Sequence, residues 1–244
     1  MKPFLIIQSR AEDEAANSEF NAILKRADLR KNDVERIRVE QGPLPKINLD
    51  DYSAVIVGGS PFDFTTPEDE KSDTQKRVEK EMLEIADKIV KRDFPYLGVC
   101  SGNGLMGTYF GVPVTKKYAE PVSAVDLYLT EEGKNDPILK GVPDKFRALV
   151  GHKEACEIAP AEAVLLVYSD TCPVEMFRVK NNIYATQFHP EADPDEFEVR
   201  INIYKDYGYF PPESAEELID EIKNEVITEP FKVLRNFAEK YARE

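Results

Sequence analysis

Pro95-Tyr96-Leu97-Gly98-Val99-Cys100-Ser101-Gly102-Asn103-Gly104 is the stretch that decides how this chain folds. A short apolar run enters Gly-x-Cys-x-Gly and then residues able to continue as a helix. This is the sequence form of a strand that turns sharply into a helix and presents one reactive side chain at the turn. Gly98 and Gly102 flank the cysteine because such a turn leaves little room for Cβ atoms. Cys100 then lies at the amino end of the helix, where the dipole and unbonded N–H groups favour a thiolate. On this segment alone two readings stand: a reactive thiol, or a buried, inert cysteine behind a core strand.

Downstream, Ile183-Tyr184-Ala185-Thr186-Gln187-Phe188-His189-Pro190-Glu191 reads as a strand running into a His-Pro-Glu turn. A cysteine nucleophile needs a base within hydrogen-bond reach, and that base needs a third group to hold its tautomer. His189 can be the base. Glu191, across the bend fixed by Pro190, can reach the far ring nitrogen. The chain has only two histidines, His152 and His189, so the candidates are few. By itself His-x-Glu also fits a surface turn; its place after a strand and beyond the Cys100 turn is what links the two. Upstream, Ala54-Val55-Ile56-Val57 is a β-branched strand entering Gly58-Gly59-Ser60-Pro61. Strand followed by Gly-Gly is where backbone N–H groups can face a ligand, and a plain turn between strand and helix would read the same.

The rest of the chain alternates strands and helices. Phe4-Leu5-Ile6-Ile7-Gln8 is a buried strand, residues 12–26 a helix and 34–39 a strand. Residues 71–92 form a long amphipathic helix with Val78, Met82, Ile85, Ile89 and Val90 on its apolar face. Residues 122–129, 146–150, 164–168 and 176–179 read as a meander of short strands, expected to form a subsidiary sheet. Beyond Glu191 the pattern is helical and highly charged: 195–207, a helix capped by Ser214 with Glu217 completing a capping box, and 230–241. This tail, 194–244, is expected to be a helical extension covering the core of one domain spanning 1–244. Asp193 and Glu196 read as a helix start rather than a metal site. Cys156 and Cys172 read as small hydrophobes, and no metal is expected.

With 244 residues and 42% hydrophobic content, the chain can bury a full α/β core. A net charge of −14 disfavours unaided binding to nucleic acid or an anionic membrane surface. No apolar run approaches the ~20 residues that span a bilayer. Three widely spaced cysteines make neither a metal-ligand pattern nor an even disulfide set, so a reducing cytoplasm is the expected compartment.

Three segments in order, Val55-Ile56-Val57-Gly58-Gly59-Ser60-Pro61, Leu97-Gly98-Val99-Cys100-Ser101-Gly102 and Ala185-Thr186-Gln187-Phe188-His189-Pro190-Glu191, resemble the class I glutamine amidotransferases. Val150-Gly151-His152-Lys153-Glu154-Ala155-Cys156 and Cys172-Pro173-Val174-Glu175-Met176-Phe177-Arg178 resemble the stand-alone, GMP-synthase-like members. The resemblance implies a flavodoxin-like α/β fold, with a mostly parallel central sheet flanked by helices and a small subsidiary sheet. It implies a Cys100–His189–Glu191 triad and an oxyanion hole made by the Gly59 and Ser101 N–H groups. Gly58, Gly59, Gly104 and His152 are implied to border the substrate, His152 through its backbone; the same His also reads as a loop residue without a chemical role. The implied substrate is L-glutamine or another γ-glutamyl compound, with no cofactor, and the implied partner is a separate synthetase or acceptor protein. One position departs: where the family reads Gly-x-Cys-x-Gly-x-Gln, this chain has Gly104, which alters the glutamine pocket. That departure keeps a γ-glutamyl hydrolase in play. A non-catalytic binding protein retaining the fold is the third reading, and the complete triad argues against it. The sequence has neither a Walker-type loop nor a Ser-Gly-Gly-x-Asp-Ser run, so this chain alone is not expected to make GMP.

Overall fold

The computed structural model describes residues 2–242; Met1 and the last two residues of the expected 194–244 extension lie outside them. The strands are β1 (Phe4–Gln8), β2 (Val34–Arg38), β3 (Val55–Val57), β4 (Tyr96–Val99), β5 (Val114–Thr115) and β6 (Glu120–Leu129). They continue with β7 (Lys145–His152), β8 (Ala155–Cys156), β9 (Ala163–Ser169), β10 (Met176–Val179) and β11 (Ile183–Thr186). The helices are α1 (Asp13–Ala27), α2 (Asp73–Arg92), α3 (Ser101–Tyr109), α4 (Glu131–Lys134), α5 (Pro194–Tyr204), α6 (Ala215–Ile222) and α7 (Phe231–Tyr241).

Nine strands form one sheet in the order β2-β1-β3-β4-β11-β10-β9-β6-β7. The first five run parallel, with α1 crossing from β1 to β2 and α2 from β3 to β4. β1, β3, β4 and β11 are buried along their whole length, which is why each reads as an unbroken apolar run. Alternate side chains leave opposite faces and enter separate cores. Phe4, Ile6, Ile56, Leu97 and Tyr184 pack with α1 and α7. Leu5, Ile7, Val55, Val57, Tyr96 and Ile183 pack with α2 and α3. The layers are therefore helix, sheet, helix.

The meander lies elsewhere than the sequence suggested. β10 pairs antiparallel with β11 while β11 pairs parallel with β4, so β10, β9, β6 and β7 extend the main sheet. A tight turn through Lys180, at φ 50°, returns the chain directly alongside itself and leaves no break between the halves. The small second sheet consists of β5 and β8, with Val114 opposite Cys156.

In the C-terminal part α7 covers one face through Val233, Leu234 and Phe237. α5 begins at Pro194, where Asp193 accepts from the Asp195 and Glu196 N–H groups and Glu196 accepts from that of Asp193. The anticipated Ser214 box does not form. Pro211-Pro212 leads into a short 3₁₀ turn, Pro212–Ser214, which leaves Ser214 in helical backbone (φ −86°, ψ −1°) with no cap bond. A capping side chain needs an extended backbone to reach the following N–H groups. No helix among the described residues is long and apolar enough to cross a membrane.

Candidate active site

The carboxyl ends of β1, β3, β4 and β11 point to one edge of the parallel half, the edge where open α/β sheets gather their ligands. Residues following each strand meet there. After β4 the chain turns through Cys100 at φ 53°, ψ −96° and enters α3 directly. That conformation costs a non-glycine residue about 1–3 kcal/mol, which the surroundings must supply. The Cys100 N–H bonds Thr186 O at 2.7 Å, tying the elbow to the end of β11. A Cβ on Gly98 would overlap the Tyr96 hydroxyl and lie 2.8 Å from Gly102 Cα, so the two glycines need each other. The Cys100 thiol is partly open to solvent.

Beyond β11, His189 is anchored by its N–H to Leu149 O at 3.0 Å and is edge-on to Phe197. Its Nδ1 lies 2.8 Å from Glu191 Oε1, and the Glu191 side chain is fully buried. A proton on Nδ1 donates to that carboxylate and leaves the Nε2 lone pair free. The same oxygen takes a second hydrogen bond, 2.8 Å from Arg200 Nη2 on α5, and Arg200 Nη1 is 3.0 Å from His189 Nδ1. Burial alone would raise the Glu191 carboxyl, but His189 and Arg200 outweigh it and hold it well below the usual range. Burial, helped by Arg200 and Arg10, holds the His189 imidazole below its ordinary value against the pull of Glu191. The Cys100 thiol is pushed up to about 12, chiefly by burial, with Arg10 the largest opposing charge. Cys100, His189, Arg10, Arg200, Ser60, Tyr204 and Tyr209 share one cavity of about 420 Å³. Tyr209 brings the C-terminal segment over the site, with its ring under Lys153 Nζ at 4.6 Å.

The glycine turn after β3 carries something the sequence reading missed. Glu19 of α1 is fully buried against it. Its Oε1 accepts from Gly59 N–H at 3.0 Å and from Arg10 Nε at 2.9 Å, and its Oε2 accepts from Gln8 Nε2 at 2.7 Å. The Gly59 N–H, expected to face an oxyanion, is thus bonded to a carboxylate. Gly58 packs on the same carboxylate, and its carbonyl accepts from Ser101 Oγ at 3.2 Å. Ser101 opens α3, where a backbone N–H has no intrahelical acceptor.

On the other side of Cys100 is a second cavity, about 310 Å³, lined among others by Ser101, Gly104, His152, Glu154 and Gln187. The space above Gly104 is filled: a Cβ there would stand 3.2 Å from the Phe64 ring and 3.6 Å from Glu154 Oε1. Glu154 accepts from the Phe64 and Thr65 N–H groups, both at 2.8 Å, and burial raises its carboxyl. The His152 imidazole is turned inward, with Nε2 2.8 Å from Glu120 Oε2 and Nδ1 3.1 Å from Glu154 O. Cys172 lies beside this pair, so Glu120, His152 and Cys172 are the described residues closest to a metal-ligand set. Both His152 nitrogens and both Glu120 oxygens are already hydrogen-bonded within the protein.

At the carboxyl edge of the sheet a strained cysteine elbow and a His–Glu pair thus line one cavity. Residues 15–203 match the family model described as glutamine amidotransferase class-I, so the chain belongs to that family. It is 37% identical over 106 residues to a glutamine-hydrolyzing GMP synthase component from Methanococcus maripaludis, 43% of this chain and 54% of that protein. The match thus spans about half the length of that relative. The protein of the same description from Pyrococcus abyssi is 32% identical over 151 residues, 62% of this chain and 72% of its own. A crystal structure of a glutamine amidotransferase from Thermotoga maritima superposes with a TM-score of 0.72 at 19% identity, covering 99% of this chain and 98% of that one. At that identity the superposition speaks for the fold.

Proposed function

We propose that this chain hydrolyses the side-chain amide of L-glutamine and releases ammonia for an acceptor carried by another polypeptide, a synthetase-type partner. One observation carries the reading: Cys100, held at φ 53° in the elbow, shares a cavity with a His189–Glu191 pair bonded at 2.8 Å. His189 takes the thiol proton at Nε2 as sulfur attacks the carboxamide carbon. The C=O electron pair moves onto oxygen, and Ser101 N–H donates to that oxyanion. The intermediate collapses, the C–N bond breaks, and His189 returns its proton to the departing ammonia. Water, deprotonated by His189, then cleaves the γ-glutamyl thioester to glutamate and free thiol. Glu191 holds the imidazole in the tautomer this requires.

The second reading, hydrolysis of other γ-glutamyl amides or peptides, is favoured by one feature. Phe64 and Glu154 occupy the space above Gly104, where the family glutamine would reach. The test is ammonia release from L-glutamine by the purified chain beside Cys100→Ala, with a panel of γ-glutamyl amines and peptides. Release that disappears in the variant supports the glutaminase. Turnover restricted to other γ-glutamyl compounds moves the assignment to the hydrolase, and turnover that survives Cys100→Ala refutes both.

A further inference from the structure

The buried Arg10–Glu19 pair stands where the second oxyanion donor was expected. Gly59 N–H is spent on Glu19 Oε1 at 3.0 Å, and a carboxylate at that spot opposes negative charge at the reacting carbonyl. The charge is not left bare. Arg10 follows β1 at the carboxyl edge of the sheet, its side chain is buried, and its guanidinium lies 2.9 Å from the same Glu19 oxygen. A Cβ placed on Gly59 would be 2.6 Å from Arg10 Nη2 and 3.4 Å from His189 Cε1, so the guanidinium reaches the glycine turn beside the imidazole. Arg10 also lines the cavity that holds Cys100 and His189. Glu19 and the Tyr204 hydroxyl engage at most three of its five N–H groups among the described residues.

We propose that Arg10, locked by Glu19, is a catalytic residue of this site: its guanidinium, in place of the Gly59 N–H, faces the negative charge that develops at Cys100. This deepens the amide-hydrolysis reading and rests on it for the oxyanion. As the C–S bond forms and the C=O pair moves to oxygen, Ser101 N–H donates from one side and an Arg10 N–H from the other. Glu19 sets the fork's orientation and is held in turn by Gln8. The other charges acting on the thiol are Arg200, Glu191 and Glu154. Among these charges Arg10 is the largest to oppose the two carboxylates.

The test separates charge at Cys100 from turnover. Cys100 alkylation by chloroacetamide is followed against pH for the wild type, Arg10→Gln/Glu19→Gln and Glu19→Gln, with kcat and KM for amide hydrolysis and a melting curve for each. The double variant avoids stranding a buried charge. It is expected to alkylate several-fold more slowly at neutral pH, short of the ~10-fold of one lost cation because the Glu19 carboxylate leaves with it. Its kcat is expected to fall ~100-fold with KM little changed, the scale of a lost oxyanion donor. Glu19→Gln keeps Arg10 and removes the opposing carboxylate, so its alkylation is expected to rise. A folded double variant with the wild-type alkylation profile or wild-type kcat overturns the proposal, as does slower alkylation in Glu19→Gln. A wild type that hydrolyses no amide yet shows both alkylation shifts refutes the glutaminase reading and supports Arg10 as the cation facing Cys100.

Discussion

Arg200→Met should move the acidic limb of the pH–rate profile toward higher pH. Arg200 Nη1 lies 3.0 Å from His189 Nδ1 and Nη2 lies 2.8 Å from Glu191 Oε1. A unit charge at 3.0 Å, with an effective dielectric near 20, acts on an imidazolium with up to about 5.5 kcal/mol, or about 4 pKa units. The guanidinium charge is spread over three nitrogens, and Glu191 cancels part of it, so a rise of about 1–2 units is the expectation. The sign follows from the causes. Burial, Arg200 and Arg10 push the His189 value down, and Glu191 pushes it up. Removing Arg200 deletes a lowering charge and leaves Glu191 to His189 alone, so both changes raise it. A general base works only when neutral, so kcat/KM then falls off at higher pH than in the wild type. The assay is kcat/KM for ammonia release across pH, beside Arg200→Lys, which keeps the charge and should leave the limb nearly in place. Losing one partner of a buried ion pair costs about 3–5 kcal/mol, and the melting temperature should drop accordingly. A folded Arg200→Met enzyme whose acid limb stays put, or moves down, refutes the electrostatic account.

Cys100→Gly should be more stable than Cys100→Ala by about 1 kcal/mol in urea denaturation, because only glycine relieves the φ of 53°. Equal stabilities would mean that the elbow stores no strain. Gly104→Gln, which installs the family residue, should cost about 1–3 kcal/mol and lower turnover, since its Cβ would stand 3.2 Å from the Phe64 ring. A variant with higher glutaminase activity would show that Phe64 yields readily. Glu175→Gln should raise the melting temperature at neutral pH and leave it unchanged at pH 4. Glu175 is fully buried, and neither carboxylate oxygen has a hydrogen-bond partner among the described residues. Burial and neighbouring Glu120 hold its carboxyl well above 4.5. The unfolded chain therefore releases this proton at lower pH than the native protein, and stability falls as pH rises above about 4.5. A melting temperature that changes equally at both pH values would contradict this linkage.

What could be read from the residues, and what could not, divides by range. Cys100, His189 and Glu191 each follow a strand whose apolar run is written locally, and the glycines and proline around them fix the turns. Arg200 has no such signature: it is one charge among several on α5, and only the packing of α5 against α1 and α6 brings it to Glu191. Glu19 did leave a trace. It sits among Ala15, Ala16, Phe20 and Ile23 on the buried stripe of α1, where an unpaired carboxylate would be costly, so a buried partner was implied. That the partner is Arg10, and that both abut Gly59, depends on the parallel register of β1 and β3. The meander shows the same division. Each strand announced itself, but whether β10 joined β11 or a separate sheet was decided by pairing across a turn. At Ser214 the local pattern was correct in composition and still failed, because Pro211-Pro212 imposed a 3₁₀ turn on the capping position.

The charges at the site combine into one constraint on how it works. Two buried carboxylates near the reacting centre are matched by arginines, Glu19 by Arg10 and Glu191 by Arg200, while Glu154 is held by the Phe64 and Thr65 N–H groups. The pairs leave little net field to favour a resting thiolate–imidazolium ion pair. Burial pushes the Cys100 thiol up to about 12 and the His189 imidazole down, and both directions favour a neutral resting pair. In the proposed mechanism a neutral pair forms its nucleophile only as the proton moves during attack. In the proposed reaction Arg10 is the cation that meets negative charge as it appears, while Arg200 holds Glu191. The proposed reaction is thereby tied to two arginines, neither of which belongs to the Cys-His-Glu motif.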